Sequence, residues 1–124
     1  MVTWDEYLKG ILKKIVESHS NLLQMDDIPG DLFLIEKELL KITGFFNVII
    51  TKLESENSKS KDLLTLKTDL KYYLNTYYFQ QEIEMLSALY SQDSSRIRNI
   101  RLKILESFED KKLMNKILNT IEVL

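Results

Sequence analysis

The chain has 124 residues, 44% of them hydrophobic and 29% charged, and a net charge of −2. These values are typical of one folded globular domain and exclude a disordered chain. The sequence has no cysteine, which excludes disulfides and thiolate chemistry, and its three glycines and one proline are too few for the turns of a sheet-rich fold. We therefore predict a single all-α domain over residues 1–124.

The start of the first helix is marked by Thr3 and Glu6, which have the spacing of a capping box. Apolar residues then recur every three or four positions up to Leu23, and Pro29 with Gly30 predicts a break. Acidic residues near the start argue against a signal peptide, and no apolar run approaches the ~18 residues of a membrane span. A cytoplasmic protein is therefore expected.

A second helix is predicted from about residue 31 to residue 54. Seven apolar residues there step by three and four positions and form a coiled-coil-like seam. They are Leu32, Ile35, Leu39, Ile42, Phe46, Ile49 and Leu53. Because more apolar residues lie beside this seam, the helix should be central in its bundle or should meet a partner. Phe46 and Ile49 are therefore candidate contacts between copies of a self-associating protein.

The second half of the chain predicts two or three further helices. A polar loop over 55–61 precedes a helical stretch over 61–91, whose apolar face rotates near residues 80–81. That rotation indicates either a kink or two halves that pack against different neighbours. A serine at position 94 or 95 should cap a fourth helix, which ends near residue 108, and a short fifth helix covers 112–123. The expected architecture is a bundle of four to five helices with long central helices, antiparallel where the loops are short.

Catalytic and metal-binding residues are scarce. His19 is the one histidine, and no Glu-x-x-His spacing surrounds it, which excludes a di-iron bundle. Asp26, Asp27 and Asp31 cluster near the first break, but they lack the spacing of a calcium-binding loop and are better explained as charges favoured at a helix start. No glycine-rich phosphate loop is present. We therefore predict no catalytic, cofactor or metal site and no enzymatic activity.

The segment 72–80, "YYLNTYYFQ", is dense in aromatic residues. Proteins that stack single-stranded bases on such groups interleave them with basic residues, whereas Lys71 is the only cation nearby. Core packing combined with a tyrosine-rich protein contact is the favoured interpretation, since tyrosine is enriched at interfaces. The candidate contacts are Tyr73, Tyr77 and Tyr78.

All three arginines lie within six positions, at 96, 98 and 101. Basic residues number ten against fifteen acidic ones up to residue 93, and seven against four after it, so the basic end is local. On a helical projection Arg98 falls between leucines, Arg101 falls at the edge of the buried stripe, and Arg96 falls on the solvated side. Arg98 and Arg101 could form a protein interface, or their stems could cover apolar surface while the heads reach water. Contact with nucleic acid ranks third, because a phosphate-binding surface gathers its cations on one polar face.

Two stretches resemble a known family, "NLLQMDDIPGDLFLIEKELL" and "LKTDLKYYLNTYYFQQEIEMLSALY". Together they are similar to the helical domain of the archaeal GINS subunit in which that domain comes first. The loop positions of the family would be held by Ile28, Pro29, Asp31 and Phe33, and a later helix by Tyr78 or Phe79 with Ile83, Leu86 and Ala88. The sequence departs from the family at Gln80, Gln81, Glu82 and Glu84, where arginine and lysine are usual, and in having no β-rich second domain.

The resemblance to GINS implies a non-enzymatic scaffold that links the MCM helicase to a RecJ-like partner in DNA replication. Under it, the second helix and the aromatics of the third pack against a second subunit, and Arg98 and Arg101 form salt bridges across an interface. The alternative is an unrelated helical interaction module, including one that forms a homo-oligomer. A nucleic-acid-binding regulator that uses the basic end comes third. Direct contact with nucleic acid or with a membrane is disfavoured.

Overall fold

The structure, a computed structural model, describes residues 3–56 and 60–124. Within these ranges the chain forms α-helices and one short 3-10 turn and contains no strand, which confirms the predicted all-α bundle. The elements are α1 (Trp4–Leu23), α2 (Asp31–Glu56), α3 (Lys61–Thr76), α4 (Gln80–Leu89), α5 (Ser94–Glu109), the 3-10 turn (Asp110–Lys112) and α6 (Leu113–Val123). The polar loop predicted over 55–61 includes 57–59, which lie outside the described residues.

Four of the helices form a closed antiparallel ring. α1 packs against α2 and α6, and α3 packs against the same two helices from the other side. The ion pair between Lys116 of α6 and Asp69 of α3, with Nζ and Oδ2 2.5 Å apart, fixes one of these contacts. At one end of the ring, Trp4 borders a surface cavity together with Thr120 and Val123 of α6. Apolar stripes on four helices thus meet along one axis, as in an up-down-up-down bundle.

α4 and α5 are inserted between the third and fourth helices of this ring. α5 packs against α1, α2 and α6, and α4 packs against α2 and α5. The helical stretch predicted over 61–91 is therefore two helices, because the chain is extended at Tyr77, where α3 ends. Both explanations offered for its rotating apolar face apply in part, because the chain breaks between the halves, which share α2 as a neighbour while α3 also packs against α6 and α4 against α5.

The apolar seam of α2 lies in the core of the single chain. All seven seam residues are buried, and Phe46 and Ile49 are fully so. Phe46 meets the rings of Tyr73 and Phe108 edge-on, at centroid distances of 5.4 and 6.3 Å. Phe46 and Ile49 are thus not available to a partner in this fold, and we assign them to the core instead. Burial of each such side chain contributes about 1.5–3 kcal/mol to stability.

Side-chain caps are found at the starts of α1, α3 and α5, whereas α4 and α6 begin without one. The Thr3 hydroxyl accepts from the Glu6 amide at 3.1 Å, as the sequence predicts. Asp93, and not a serine at 94 or 95, caps α5, because its Oδ1 accepts from the Arg96 amide at 3.1 Å. A carboxylate is favoured at this position by the partial positive charge of the helix start. Among the described helices, none is long and apolar enough to cross a membrane.

Candidate protein-binding site

A groove opens between α2 and the extended connection from α3 to α4. It has a volume of about 140 Å³. Its lining residues are Leu39, Leu40 and Thr43 from α2 and Tyr73, Leu74, Tyr77, Tyr78, Phe79 and Gln80 from the aromatic segment. At its rim, Tyr78 is 70% and Leu40 is 53% exposed to solvent. We call this feature the aromatic groove.

The wall of the aromatic groove continues into the core as a column of aromatic rings. Tyr73 stacks on Phe108 with their centroids 5.0 Å apart, and Tyr77 lies 5.0 Å from Tyr73. Phe79 then stacks on Tyr77 at 6.1 Å. Such ring pairs add about 0.5–1.5 kcal/mol beyond the area that they bury. The wall is therefore held by the core and is not a free surface loop.

A single carboxylate outside the aromatic segment fixes this connection. The hydroxyls of Tyr77 and Tyr72 donate to Oδ2 of Asp110 at 2.6 and 2.9 Å. The bond to Asp110 raises the pKa of Tyr77 to about 12. The same two bonds lower the pKa of Asp110, with the bond from Tyr77 contributing most. Lys111 adds its ammonium over the Tyr72 ring, 4.0 Å from the centroid, so both tyrosines are oriented from the end of α5.

The other end of the connection is tied to α2. Nε2 of Gln80 donates to Oε2 of Glu36 at 3.0 Å and to Oε1 of Glu84 at 3.3 Å. The segment between Thr76 and Gln80 is thus held at both of its ends. Because an extended chain points successive side chains to opposite sides, Tyr77 turns inward while Tyr78 projects into solvent. Tyr73, which was a candidate contact, is buried at 2% exposure and belongs to the core.

Arg101 is the most buried of the three arginines and makes a contact within the chain. Its Nε and Nη2 donate to the two carboxylate oxygens of Asp27 at 2.6 and 3.0 Å, and Nη1 donates to the Leu22 carbonyl at 3.1 Å. The carboxylate of Asp27 raises the pKa of Arg101. The side chains of this pair are only 11% and 13% exposed. Arg101 therefore joins α5 to the loop between α1 and α2, and it is not available for a salt bridge to another protein.

The loop that receives Arg101 is shaped by Asp31. Its Oδ2 accepts from the amides of Asp26 and Ile28 at 3.0 and 3.3 Å. Asp27, between them, adopts a left-handed backbone conformation with φ of 64°. The three aspartates thus have different roles, and only Asp31 is the helix-start charge that the sequence predicts.

The other two arginines lie on the surface. Arg96 pairs with Asp93 at 3.3 Å and stacks over the Tyr90 ring at 3.8 Å from the centroid. Arg98 is exposed and makes no ion pair with any described residue. The cluster that stands out in the sequence is therefore divided among three environments. Of the candidates for an interface, Arg98, Tyr77 and Tyr78 remain at least partly accessible.

His19 is half-buried on α1, and its ring meets that of Phe108 edge-on at 5.8 Å. Burial lowers the pKa of His19, and Glu109 opposes that shift. In residues 3–56 and 60–124, no group of three histidine, aspartate or glutamate side chains could hold a metal ion. The ring contact with Phe108 makes His19 a packing residue of the α1–α5 contact.

Asp110 and Leu40, which support and line the aromatic groove, could not be predicted from the sequence. Asp110 lies 33 positions from Tyr77 along the chain, and no local pattern links the two. Leu40 adjoins the seam and is indistinguishable from a core residue until the path of α3 is known.

No family model, curated protein or solved structure matches the chain.

Proposed function

We propose that this chain is a non-enzymatic helical scaffold that binds another protein through the aromatic groove. The observation that supports the proposal is the exposed side chain of Tyr78. It lies on a groove wall that is held in place by core packing and by the hydrogen bonds of Asp110 and Gln80. Tyr78 presents most of its ring to solvent and has no hydrogen bond to a described residue. Tyrosine is favoured in binding sites because it offers a large contact area and loses little conformational entropy.

The size of the groove favours a protein ligand. At about 140 Å³ it is smaller than the roughly 300–1,000 Å³ of small-molecule sites, but it can take an anchoring side chain from a partner's surface. Because the wall of the groove is already ordered before a partner binds, less conformational entropy is lost on binding, and affinity improves without new contacts. The groove thus has the features of an anchor pocket at the centre of a larger interface.

The resemblance to GINS selects the first partners to test. The two similar stretches include the α1–α2 loop, part of α2 and the aromatic segment, which also supply both sides of the groove. A second GINS-type subunit, an MCM helicase and a RecJ-like protein are therefore the first candidates. Binding of nucleic acid is a weaker proposal, because Arg96 and Arg101 are already paired and only Arg98 of the cluster is open.

The test compares a groove variant with a matched surface variant in pull-downs from native lysate. Tyr78→Ala combined with Leu40→Asp removes the rim, whereas Leu64→Asp changes an exposed leucine of α3 outside the groove. We expect mass spectrometry to identify a partner with the wild type and Leu64→Asp but not with the groove variant. Circular dichroism checks that all three are folded. Equal recovery by the groove variant would contradict the proposed site.

Purified proteins then test the identity of the partner. Binding of a GINS-type subunit, an MCM helicase or a RecJ-like protein is measured with the same three chains by calorimetry. Loss of binding in the groove variant alone supports a GINS-like scaffold. If none of the three proteins binds the wild type, the GINS-like function is rejected, and the lysate result alone decides whether the groove binds a protein.

A further inference from the structure

The connection between α5 and α6 has an unusual backbone. Lys111 has φ of 56° and ψ of 18°, and Lys112 has φ of 54° and ψ of 40°. Both lie in the left-handed region, which residues with a Cβ atom rarely adopt and almost never adopt in succession. Neither position is a glycine, the residue that would relieve the strain. The chain therefore bends between α5 and α6 against the preference of its own residues.

The local sequence favours a different conformation. Residues 94–123 contain no glycine and no proline, and the turn itself reads Glu-Asp-Lys-Lys, with lysine and glutamate among the better helix formers. If 110–112 became helical, α5 and α6 would join into one continuous helix of roughly 45 Å at 1.5 Å per residue. Both lysines would then leave the left-handed region. The strain is thus relieved by an extension that the sequence permits.

Extension would separate α6 from its own ring. α6 buries Leu113, Met114, Ile117 and Thr120, and it packs between α1 and α3. Its removal would leave an apolar channel along α1 and α3, and the carboxylate of Asp69, 6% exposed in the closed ring, would lose Lys116. An open channel of this kind demands an occupant. The segment whose side chains already match it is α6 from another copy.

We propose that this chain exchanges α6 with a second copy of itself, so that each ring in the resulting two-fold dimer is closed by the partner's α6. All contacts of α6 with α1 and α3 are then kept, and only the hinge at Asp110–Lys112 changes. Short connections under strain favour such exchange. This inference extends beyond the proposed function and touches the aromatic groove only at Asp110, which lies in the hinge and accepts from Tyr72 and Tyr77. The exchange increases with protein concentration, because two chains combine.

The first test uses the ion pair between α3 and α6. One tagged chain carries Lys116→Glu and a second, with a different tag, carries Asp69→Lys. In either chain alone the two positions have the same charge, so repulsion replaces the ion pair. In an exchanged dimer that contains one chain of each kind, opposite charges face each other in both rings. A dimer without exchange would not restore the pairing.

After joint unfolding and refolding, we expect the mixture to form a heterodimer with twice the chain mass of 14.7 kDa, measured by light scattering and captured through both tags. Each variant refolded alone should give several-fold less dimer. A mixture that remains monomeric, or that forms no more dimer than the separate chains, would overturn the proposal.

The second test changes only the backbone preference of the hinge. Lys111→Gly with Lys112→Gly allows the left-handed turn without strain, whereas Lys111→Ala with Lys112→Ala favours the helix. Both double variants remove the same lysine side chains, including the contact of Lys111 with Tyr72. At equal concentration we expect several-fold more dimer from the alanine variant than from the glycine variant. Equal dimer fractions, or more dimer from the glycine variant, would count against exchange.

Discussion

Two carboxylates hold α5 to the rest of the molecule, and they do so in contrasting ways. Asp27 accepts two bonds from the Arg101 guanidinium in a nearly closed site, while Asp110 accepts one hydroxyl each from Tyr72 and Tyr77 near the surface. The backbone of Asp27 is left-handed, with φ of 64°, whereas Asp110 has φ of −58° and ψ of 132° and only precedes the left-handed Lys111. The two carboxylates thus differ in backbone geometry as well as in surroundings.

We call the contact between Arg101 and Asp27 the buried anchor and the contact of Asp110 with Tyr72 and Tyr77 the surface anchor. Their difference in burial determines what each contributes to the molecule. Removing one member of a buried ion pair leaves a charge that neither water nor protein compensates. At the surface, water replaces a lost hydroxyl at little cost. The contact of Arg101 with Asp27 should therefore govern the stability of the fold. The contact of Asp110 with the tyrosines should govern the shape of the aromatic groove.

The largest expected effect is the loss of the buried anchor. Arg101→Met keeps most of the length of the side chain but leaves Asp27 unpaired, so we expect the free energy of unfolding to fall by about 3–5 kcal/mol. Urea denaturation followed by circular dichroism measures this loss. The matched control is Arg98→Met, which should change stability by no more than about 0.5 kcal/mol because Arg98 is exposed. Equal losses of stability in the two variants would show that the buried ion pair of Arg101 does not contribute more than an exposed arginine.

A second substitution, at Asp27, tests whether the unpaired carboxylate causes the loss of stability. Asparagine tolerates the left-handed backbone of Asp27, so Asp27→Asn removes the charge without straining the loop. We expect the double variant Arg101→Met with Asp27→Asn to recover much of the stability that Arg101→Met loses. Losses that simply add would show that the unpaired carboxylate is not the cause.

A smaller effect is expected at the surface anchor. Tyr77→Phe removes the shorter of the two bonds to Asp110 but keeps the ring stacked between Tyr73 and Phe79. We expect a loss of stability well below that of Arg101→Met, together with weaker binding of the partner that is proposed for the groove. Tyr7→Phe, at an exposed tyrosine of α1, is the control. If Tyr77→Phe destabilises the chain as much as Arg101→Met does, the proposed division between stability and groove shape is wrong.

The surface anchor also predicts a response to alkaline pH. The folded pKa of Tyr77, about 12, lies above the ordinary value of 10.0, so folding favours the protonated hydroxyl. Its contribution to stability is therefore complete below pH 10.0 and is lost as the pH rises towards about 12. A titration of phenolate absorbance should show a late phase, to which Tyr72 and Tyr73 also contribute because their pKa values are raised, and Tyr77→Phe should make that phase smaller. A variant that loses its absorbance near pH 10 instead would show that Tyr77 is not held by Asp110.

The smallest effect is expected at His19, which meets Phe108 between the two anchors. Its pKa is lowered from 6.5 by burial, so folding favours the neutral ring, and stability should decrease as the pH falls through 6.5. The chain has one histidine, which makes its proton resonance easy to follow by NMR. His19→Gln should remove the pH dependence of unfolding in this interval. A midpoint at or above 6.5 would contradict the packing role.

The sequence predicts the helices well because their signals are local. Helical spacing, the capping pair at Thr3 and the break at Pro29 all act within a few residues. The partner of Arg101 could not be predicted in this way, since Asp27 is 74 positions distant and the pairing depends on how α5 crosses the α1–α2 loop. A helical projection places Arg101 at the edge of the buried stripe but does not identify what lies opposite.

The apolar seam of α2 illustrates a second limit. A core and an interface bury the same side chains, so the pattern around Phe46 and Ile49 fits both until neighbouring helices are placed. Tyr77 and Tyr78 are adjacent and look equivalent in the sequence, but their side chains have different environments in the structure. They differ because α3 ends at Thr76 and the extended chain sends them to opposite sides.

The position of Trp4 has a practical consequence. It is the only tryptophan of the chain, and it borders the cavity where Thr120 and Val123 of α6 meet the start of α1. Its fluorescence should therefore shift when α6 leaves the ring, with no label attached. Opening and closing of the bundle can thus be timed by stopped-flow mixing on the unmodified protein.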